Sequence, residues 1–153
     1  MIDRITIPES MGVQPQLTNM RLGLTAMLEC SEAPAGSPRM GLLYGHSGYG
    51  KSVAAAHIAA YFDGAYVAAK SNWTQRSVLE AIATELGIAR LERTGPRLLQ
   101  QIIDQLVTDP RPLVIDEMDH LVTKKSVELI RDIHDATNIA ILMIGEEALP
   151  AKL

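Results

Sequence analysis

Apolar residues along this chain fall into two kinds of run, short continuous ones and longer ones that recur at helical spacing. Continuous runs are typical of strands buried on both faces of a parallel sheet, and helical spacing is typical of the helices that cover such a sheet. Strands that alternate with helices predict an α/β fold, a three-layer sandwich with a mainly parallel sheet. The predicted strands are 41–44, 65–69, 112–115 and 139–144, and the predicted helices are 18–30, 53–62, 75–86, 94–109 and 124–135.

Proline and glycine separate the beginning of the chain from the alternating part. Residues 1–17 contain Pro8, Gly12 and Pro15, and this composition predicts an irregular N-terminal arm. The whole alternation of strands and helices falls within residues 18–153. We therefore expect a short arm followed by one α/β domain.

Composition agrees with a single domain and narrows the range of partners. The chain has 153 residues, of which 47% are hydrophobic and 21% are charged, as in ordinary globular domains. A formal net charge of -4 argues against a protein that coats nucleic acid through its overall charge, so any DNA contact must be local. Cys30 is the only cysteine, and no apolar run is long enough to span a membrane. We therefore expect a cytoplasmic protein with no membrane partner.

One stretch carries the clearest chemical signal. It matches the pattern G-x-x-x-x-G-K-[ST] of a phosphate-binding loop, and it lies between a predicted strand and a predicted helix. Lys51 would act catalytically as a point charge on the β- and γ-phosphates of ATP, and the Ser52 hydroxyl would be a ligand of Mg²⁺. ATP and Mg²⁺ are therefore the expected cofactors. The predicted nucleotide-binding residues are Gly45, His46, Ser47, Gly48, Tyr49, Gly50, Lys51, Ser52 and Val53.

Two acids end the third predicted strand. In P-loop nucleotidases an aspartate at such a position holds magnesium, and a carboxylate directly after it can orient and polarise the attacking water. The sequence therefore predicts Asp116 as a magnesium ligand and Glu117 as a catalytic residue. The alternative is that both acids only cap the helix that follows, since acids favour helix N-termini. Residues 118–121 are expected to start that helix.

The remaining polar and aromatic residues carry weaker signals. His57, His120 and His134 lack the spacing of metal ligands and are expected at the surface or in helix packing. Trp73 is expected at the edge of the core, with stacking at a nucleic-acid surface as the alternative. Charged helix faces are usually only solvated. The cations that are candidates for DNA contact are Lys70, Arg76, Lys124 and Lys125.

Three segments together resemble the AAA+ ATPases that assist DNA transposition, the family of the B protein of Mu-type transposable phages. The segments are Gly-Leu-Leu-Tyr-Gly-His-Ser-Gly-Tyr-Gly-Lys-Ser at 41–52, Leu-Val-Ile-Asp-Glu-Met-Asp-His-Leu at 113–121 and Ile-Leu-Met-Ile-Gly-Glu-Glu-Ala-Leu-Pro at 141–150. The resemblance covers residues 18–153 and implies a P-loop NTPase fold of the AAA+ (ASCE) type. It also implies ATP-dependent, non-specific binding to double-stranded DNA, self-association into an oligomer or filament, delivery of target DNA and activation of a transposase.

The same resemblance implies roles for individual residues. Gly45 to Ser52 match the Walker A loop, and Asp116 and Glu117 match the Walker B acids. The tip of the last strand matches the sensor-1 region, but it reads Gly145-Glu146-Glu147, without the usual Asn, Ser or Thr. The arginine finger and C-terminal lid of the family have no counterpart in the chain up to Leu153, so weak hydrolysis by this chain alone is expected.

The same residues leave other functions open. A helicase-loader-like ATPase would share both motifs. A nucleotide-binding interaction module with little turnover would fit the missing C-terminal segment. A small-molecule kinase would share the phosphate-binding loop, but a water-orienting carboxylate at Glu117 would work against phosphoryl transfer to a metabolite.

Overall fold

The structure is a computed structural model that describes residues 15–34, 36–45, 50–122, 125–146 and 149–152. Strands and helices alternate along the described residues from β1 onward, as the apolar pattern predicts. In chain order the elements are α1 (Pro15–Glu32), β1 (Met40–Gly45), α2 (Lys51–Tyr61), β2 (Ala65–Ala68), α3 (Gln75–Glu85), α4 (Gly95–Thr108), β3 (Leu113–Asp116), a 3-10 turn (Met118–His120), α5 (Ser126–Thr137), β4 (Ile141–Glu146) and α6 (Leu149–Lys152).

The four strands form one parallel sheet in the order β1-β4-β3-β2. β4 comes last along the chain but lies between β1 and β3, where Met143 is paired with Leu42 on one side and Ile115 on the other. The carboxyl ends of parallel strands meet at one edge of a sheet, and open α/β sheets bind ligands there. We call this edge the upper edge, and the edge formed by the amino ends of the strands the lower edge.

Each face of the sheet packs against its own helices. On the first face, α1 and α2 cover a core built from small side chains, among them Ala54, Ala55 and Ala59. The close approach of α1 to α2 leaves no room for a Cβ at Gly23, which would collide with the side chain of Ile58. On the second face, α3, α4 and α5 cover a larger core rich in leucine and isoleucine. The predicted three-layer α/β sandwich is therefore confirmed.

The predicted strands and helices are all present, although several of their ends are displaced. The first helix begins at Pro15, three residues before the predicted start, because proline is accepted in the first turn of a helix. The last strand continues to Glu146, because it stays paired with β1 as far as Gly45. Residues 1–14 of the predicted arm lie outside the described residues.

The prediction that residues 118–121 begin the helix after β3 is wrong. Met118–His120 form a separate 3-10 turn, and α5 begins only at Ser126. Met118 and Leu121 are fully buried in the second-face core, so packing of this segment against the core separates it from α5.

Across the residues that the structure describes, the helices are either too short or too polar to cross a lipid bilayer.

Candidate functional site

The upper edge holds both ends of the predicted phosphate-binding loop. β1 ends at Gly45 and α2 begins at Lys51. Gly50 adopts the left-handed conformation, with φ 73° and ψ 21°, which residues carrying a Cβ rarely adopt. Its carbonyl accepts the Ala54 N–H at 3.0 Å, so this glycine both turns the chain and starts the helix. The loop residues His46, Ser47, Gly48 and Tyr49 lie outside the described residues.

The first turn of α2 forms the positive part of the site. The Lys51 Nζ donates to the Gly45 carbonyl at 2.5 Å, which places the ammonium group over the start of the loop. The first N–H groups of a helix have no partner within the helix, and the positive end of the helix dipole favours anions. Ser52 and Val53 are exposed beside it. This turn can therefore receive phosphate oxygens.

Asp116 ends the neighbouring strand β3 and is only 2% exposed. Side chains alternate along a strand, so Asp116 shares a face with Val114, which packs in the first-face core with the alanines of α2. β4 separates β1 from β3, so the ends of these two strands are about 10 Å apart. The carboxylate therefore faces the side of the sheet that is covered by the helix carrying Lys51.

Two donors hold the Asp116 carboxylate. The Tyr66 hydroxyl donates to Oδ2 at 2.9 Å, and the Glu117 backbone N–H donates to Oδ1 at 2.8 Å. Burial, and then the negative charge of Asp116, raise the pKa of the Tyr66 phenol, so the hydroxyl keeps its proton and acts as a donor. A carboxylate has about four acceptor directions. Donors among the described residues therefore leave two of these directions for further hydrogen bonds.

Glu117 leaves the strand in a left-handed conformation, with φ 56° and ψ 39°. This conformation costs a residue with a long side chain about 1–2 kcal/mol, and such strain is concentrated at functional sites. The side chain is 48% exposed, and its Oε2 lies 4.0 Å from the His120 Nε2. It makes no capping hydrogen bond to the turn that follows within the described chain. Helix capping by its side chain therefore does not explain why a glutamate stands at position 117.

The tip of β4 lies between the end of β1 and the two acids. Glu146 is exposed and is level with Gly45 in the β1–β4 pairing. The Glu146 backbone N–H donates to the Asp119 Oδ2 at 2.7 Å. A Cβ at Gly145 would lie 2.6 Å from the same oxygen, so glycine leaves room for this contact. The strand that resembles the sensor-1 region thus ends beside Gly45, and Asp119 links it to the turn after Glu117.

Arg76, a candidate for DNA contact, is engaged within the protein. Its guanidinium donates to the Glu80 carboxylate at 2.7 Å and to the backbone carbonyls of Arg93 at 2.6 Å and Glu92 at 3.0 Å. Arg76 therefore joins the start of α3 to the start of α4.

The other weaker candidates are spread over several elements of the fold. Trp73 is partly buried against the second-face core, where the sequence predicted it. Lys70 and Lys125 are exposed, and Lys124 lies outside the described residues. His57 is exposed on α2, whereas His134 is buried at the lower edge.

Sequence reasoning missed Tyr66 and Asp119. Tyr66 is level with Val114 in the β2–β3 pairing, so its reach to Asp116 depends on a register that the sequence does not display. Asp119 follows Asp116 and Glu117 closely, but it was assigned to a helix. A third acid so near the first two was the only signal available for it.

A family model described as an AAA domain matches residues 35–153. The match covers most of the chain, from before β1 to beyond β4, and the chain therefore belongs to the AAA-type P-loop ATPases. Comparison with curated proteins gives no match. Membership of this family indicates a nucleotide-binding ATPase. It does not extend to DNA or to transposition, which stay predictions.

Proposed function

We propose that this chain is a magnesium-dependent ATPase that binds double-stranded DNA without sequence preference, self-associates on it and assists a transposase. One observation carries the ATPase part. The buried Asp116 carboxylate lies on the sheet face covered by α2, and Lys51 stands in the first turn of that helix. The DNA and transposase parts are supported by the resemblance of three segments and by the cations of the upper edge.

The residues present fit a magnesium nucleotide. The Asp116 carboxylate keeps two acceptor directions for metal-bound water, and Ser52 exposes a hydroxyl at the start of α2. Among the described residues, no group of three or more His, Cys, Asp or Glu could hold a metal alone. Mg²⁺ commonly binds through one or two protein ligands together with substrate phosphates. When bound, it would neutralise charge on the β- and γ-phosphate oxygens.

Lys51 would bind the phosphate oxygens, and Glu117 would orient the attacking water. Lys51 must exchange its bond to the Gly45 carbonyl for phosphate oxygens, which its flexible stem permits. Glu117 is half-exposed and follows Asp116 directly, so its carboxylate can orient a water at the γ-phosphate and accept its proton. Its strained backbone turns this side chain out of the sheet.

A local group of cations is the best candidate surface for DNA. Arg76 brings the starts of α3 and α4 together at the upper edge. Arg93 and Arg97 are exposed beside the start of α4, and Lys70 is exposed just after the end of β2; we call these three cations the upper basic cluster. A local cluster can contact phosphates even though the net charge of the chain is negative.

Co-sedimentation with duplex DNA of unrelated sequences, with and without ATP and Mg²⁺, tests this proposal. Lys51→Ala should weaken nucleotide binding by about 10–100-fold, because a charged hydrogen-bond donor is lost, and should abolish nucleotide-dependent sedimentation. The double change Arg93→Gln and Arg97→Gln should weaken binding to all sequences and lower the salt slope by about two. The matched control is Arg131→Gln, because Arg131 is an exposed arginine on α5. It should change neither the DNA affinity nor the salt slope.

The possible outcomes distinguish the proposed function from its alternatives. Nucleotide binding without DNA association would contradict the DNA part and favour a nucleotide-binding interaction module. DNA-stimulated hydrolysis that leaves a transposase unaffected would favour a helicase-loader-like ATPase. No loss of nucleotide affinity in Lys51→Ala would contradict the site itself.

A further inference from the structure

Tyr66 reaches the Asp116 carboxylate from the neighbouring strand. It lies on β2, level with Val114 of β3, and its ring extends along the sheet to the strand end. The hydroxyl lies 2.9 Å from Oδ2, and the other carboxylate oxygen is held at 2.8 Å by the Glu117 backbone N–H. The carboxylate is thus held on both of its oxygens, by a side chain of β2 and by the backbone that directly follows β3.

These two hydrogen bonds restrict how the carboxylate can rotate. A carboxylate with one donor can turn about its χ2 torsion, which is broad and has no sharp minima. A second donor on the opposite oxygen holds the carboxylate plane. Asp116 is 2% exposed, so little bulk water is available to replace a lost donor.

The phenol is suited to this position because it stays neutral. A phenol is neutral at neutral pH, so its hydroxyl can donate to the Asp116 Oδ2, from which it lies 2.9 Å away. A neutral donor orients the carboxylate without neutralising its charge, so that charge remains available to a cation. A lysine or arginine at this position would compete with the cation instead.

We infer that Tyr66 is a positioning residue, which holds the Asp116 carboxylate in the orientation that receives magnesium-bound water. This inference rests on the proposed role of Asp116 at magnesium. Groups that hydrogen-bond to a metal-binding side chain typically change metal affinity by 10–100-fold when they are removed. Tyr66 would therefore set the magnesium concentration that nucleotide binding requires.

The test measures the binding of a fluorescent ATP analogue during a titration with Mg²⁺, and again in EDTA. Tyr66→Phe removes only the hydroxyl and should raise the half-saturating Mg²⁺ concentration by about tenfold, with affinity in EDTA unchanged. Tyr61→Phe is the matched control, because Tyr61 is 63% exposed on α2, and it should leave the titration unchanged. Thermal unfolding of both variants checks that they are folded.

A double-variant cycle distinguishes action through Asp116 from a general effect on the fold. In an Asp116→Asn background, Tyr66→Phe should produce no further change in the magnesium requirement, because coupled residues are not additive. An undiminished effect in that background would overturn the inference. So would a Tyr66→Phe variant with the wild-type titration, or one that loses affinity equally in Mg²⁺ and in EDTA. If Asp116→Asn itself leaves the titration unchanged, the proposed function fails, rather than the role of Tyr66 alone.

Discussion

Polar side chains at the lower edge of the sheet bond mainly to backbone, whereas those at the upper edge keep part of their bonding capacity open. At the lower edge, Arg111 donates to the Asp63 carbonyl at 2.9 Å and to the Gly64 carbonyl at 3.4 Å. Buried His134 accepts the Arg39 N–H on Nε2 at 3.0 Å. Nδ1 must then carry the proton, and it faces the Asp135 Oδ1 at 3.1 Å.

The upper edge differs in strain, exposure and bonding. Glu117 holds a conformation that few glutamates adopt, and the side chains of Glu117 and Glu146 are exposed. The first turn of α2 presents N–H groups that the helix cannot satisfy. Within the described part of the chain, the Asp116 carboxylate keeps two acceptor directions open. We therefore expect substitutions at the upper edge to change binding and turnover, and substitutions at the lower edge to change stability.

Glu117→Gln should have the largest effect of these substitutions, and it should reduce ATP turnover without reducing stability. The amide keeps the shape of the side chain but cannot accept a proton, so the turnover number for ATP should fall by at least about 100-fold. The melting temperature and the affinity for the nucleotide should stay close to wild type. Phosphate release and fluorescent-nucleotide binding measure the two effects.

Glu85→Gln is the matched control for this change, since Glu85 is an exposed acid at the far end of α3. It should hydrolyse ATP at the wild-type rate. Wild-type turnover in Glu117→Gln would contradict a catalytic role and leave Glu117 as a surface charge.

Gly64→Ala should be the strongest substitution at the lower edge. A Cβ at this position would lie 2.8 Å from the Pro112 carbonyl oxygen, which is backbone and already accepts the Ala65 N–H. Neither atom can move without disturbing the β2–β3 pairing, so we expect a loss of about 2–3 kcal/mol in the free energy of unfolding. Denaturant titration measures this loss.

Gly95→Ala supplies the comparison, because a Cβ at that position would meet no described atom within 4 Å. It should be neutral or slightly stabilising. Nucleotide affinity should be unchanged in both variants. A Gly64→Ala protein with wild-type stability but weak nucleotide binding would contradict the expectation that substitutions at the lower edge change stability rather than binding.

His134→Phe should also lower the free energy of unfolding, but by less than Gly64→Ala. Phenylalanine keeps the volume of a ring but has no acceptor for the Arg39 N–H, so the free energy of unfolding should fall by about 1–2 kcal/mol. His57→Phe, on the exposed side of α2, should change it by less than about 0.5 kcal/mol. Equal stability of the two variants would mean that the His134 contact contributes little to the lower edge.

Much of the fold could be predicted from the sequence, because its signals depend on near neighbours along the chain. Continuous apolar runs indicated all four strands, and helical spacing indicated the helices that cover them. The start of α2 at Lys51 and the left-handed turn at Gly50 follow from the loop motif. The ends of elements were less predictable. β4 runs to Glu146 only because β1 is there to pair with it.

The sequence by itself determined the class of site, through Lys51, Ser52 and the acids after β3, because these residue types occur at a spacing that phosphate and magnesium chemistry requires. Only the tertiary structure decided what holds the acids in place. The strand order places the end of β4 between the ends of β1 and β3, and the register of β2 on β3 brings Tyr66 to a carboxylate 50 residues away along the chain. Such contacts depend on which strands become neighbours. The packing of the two cores over the whole domain determines the order and register of the strands.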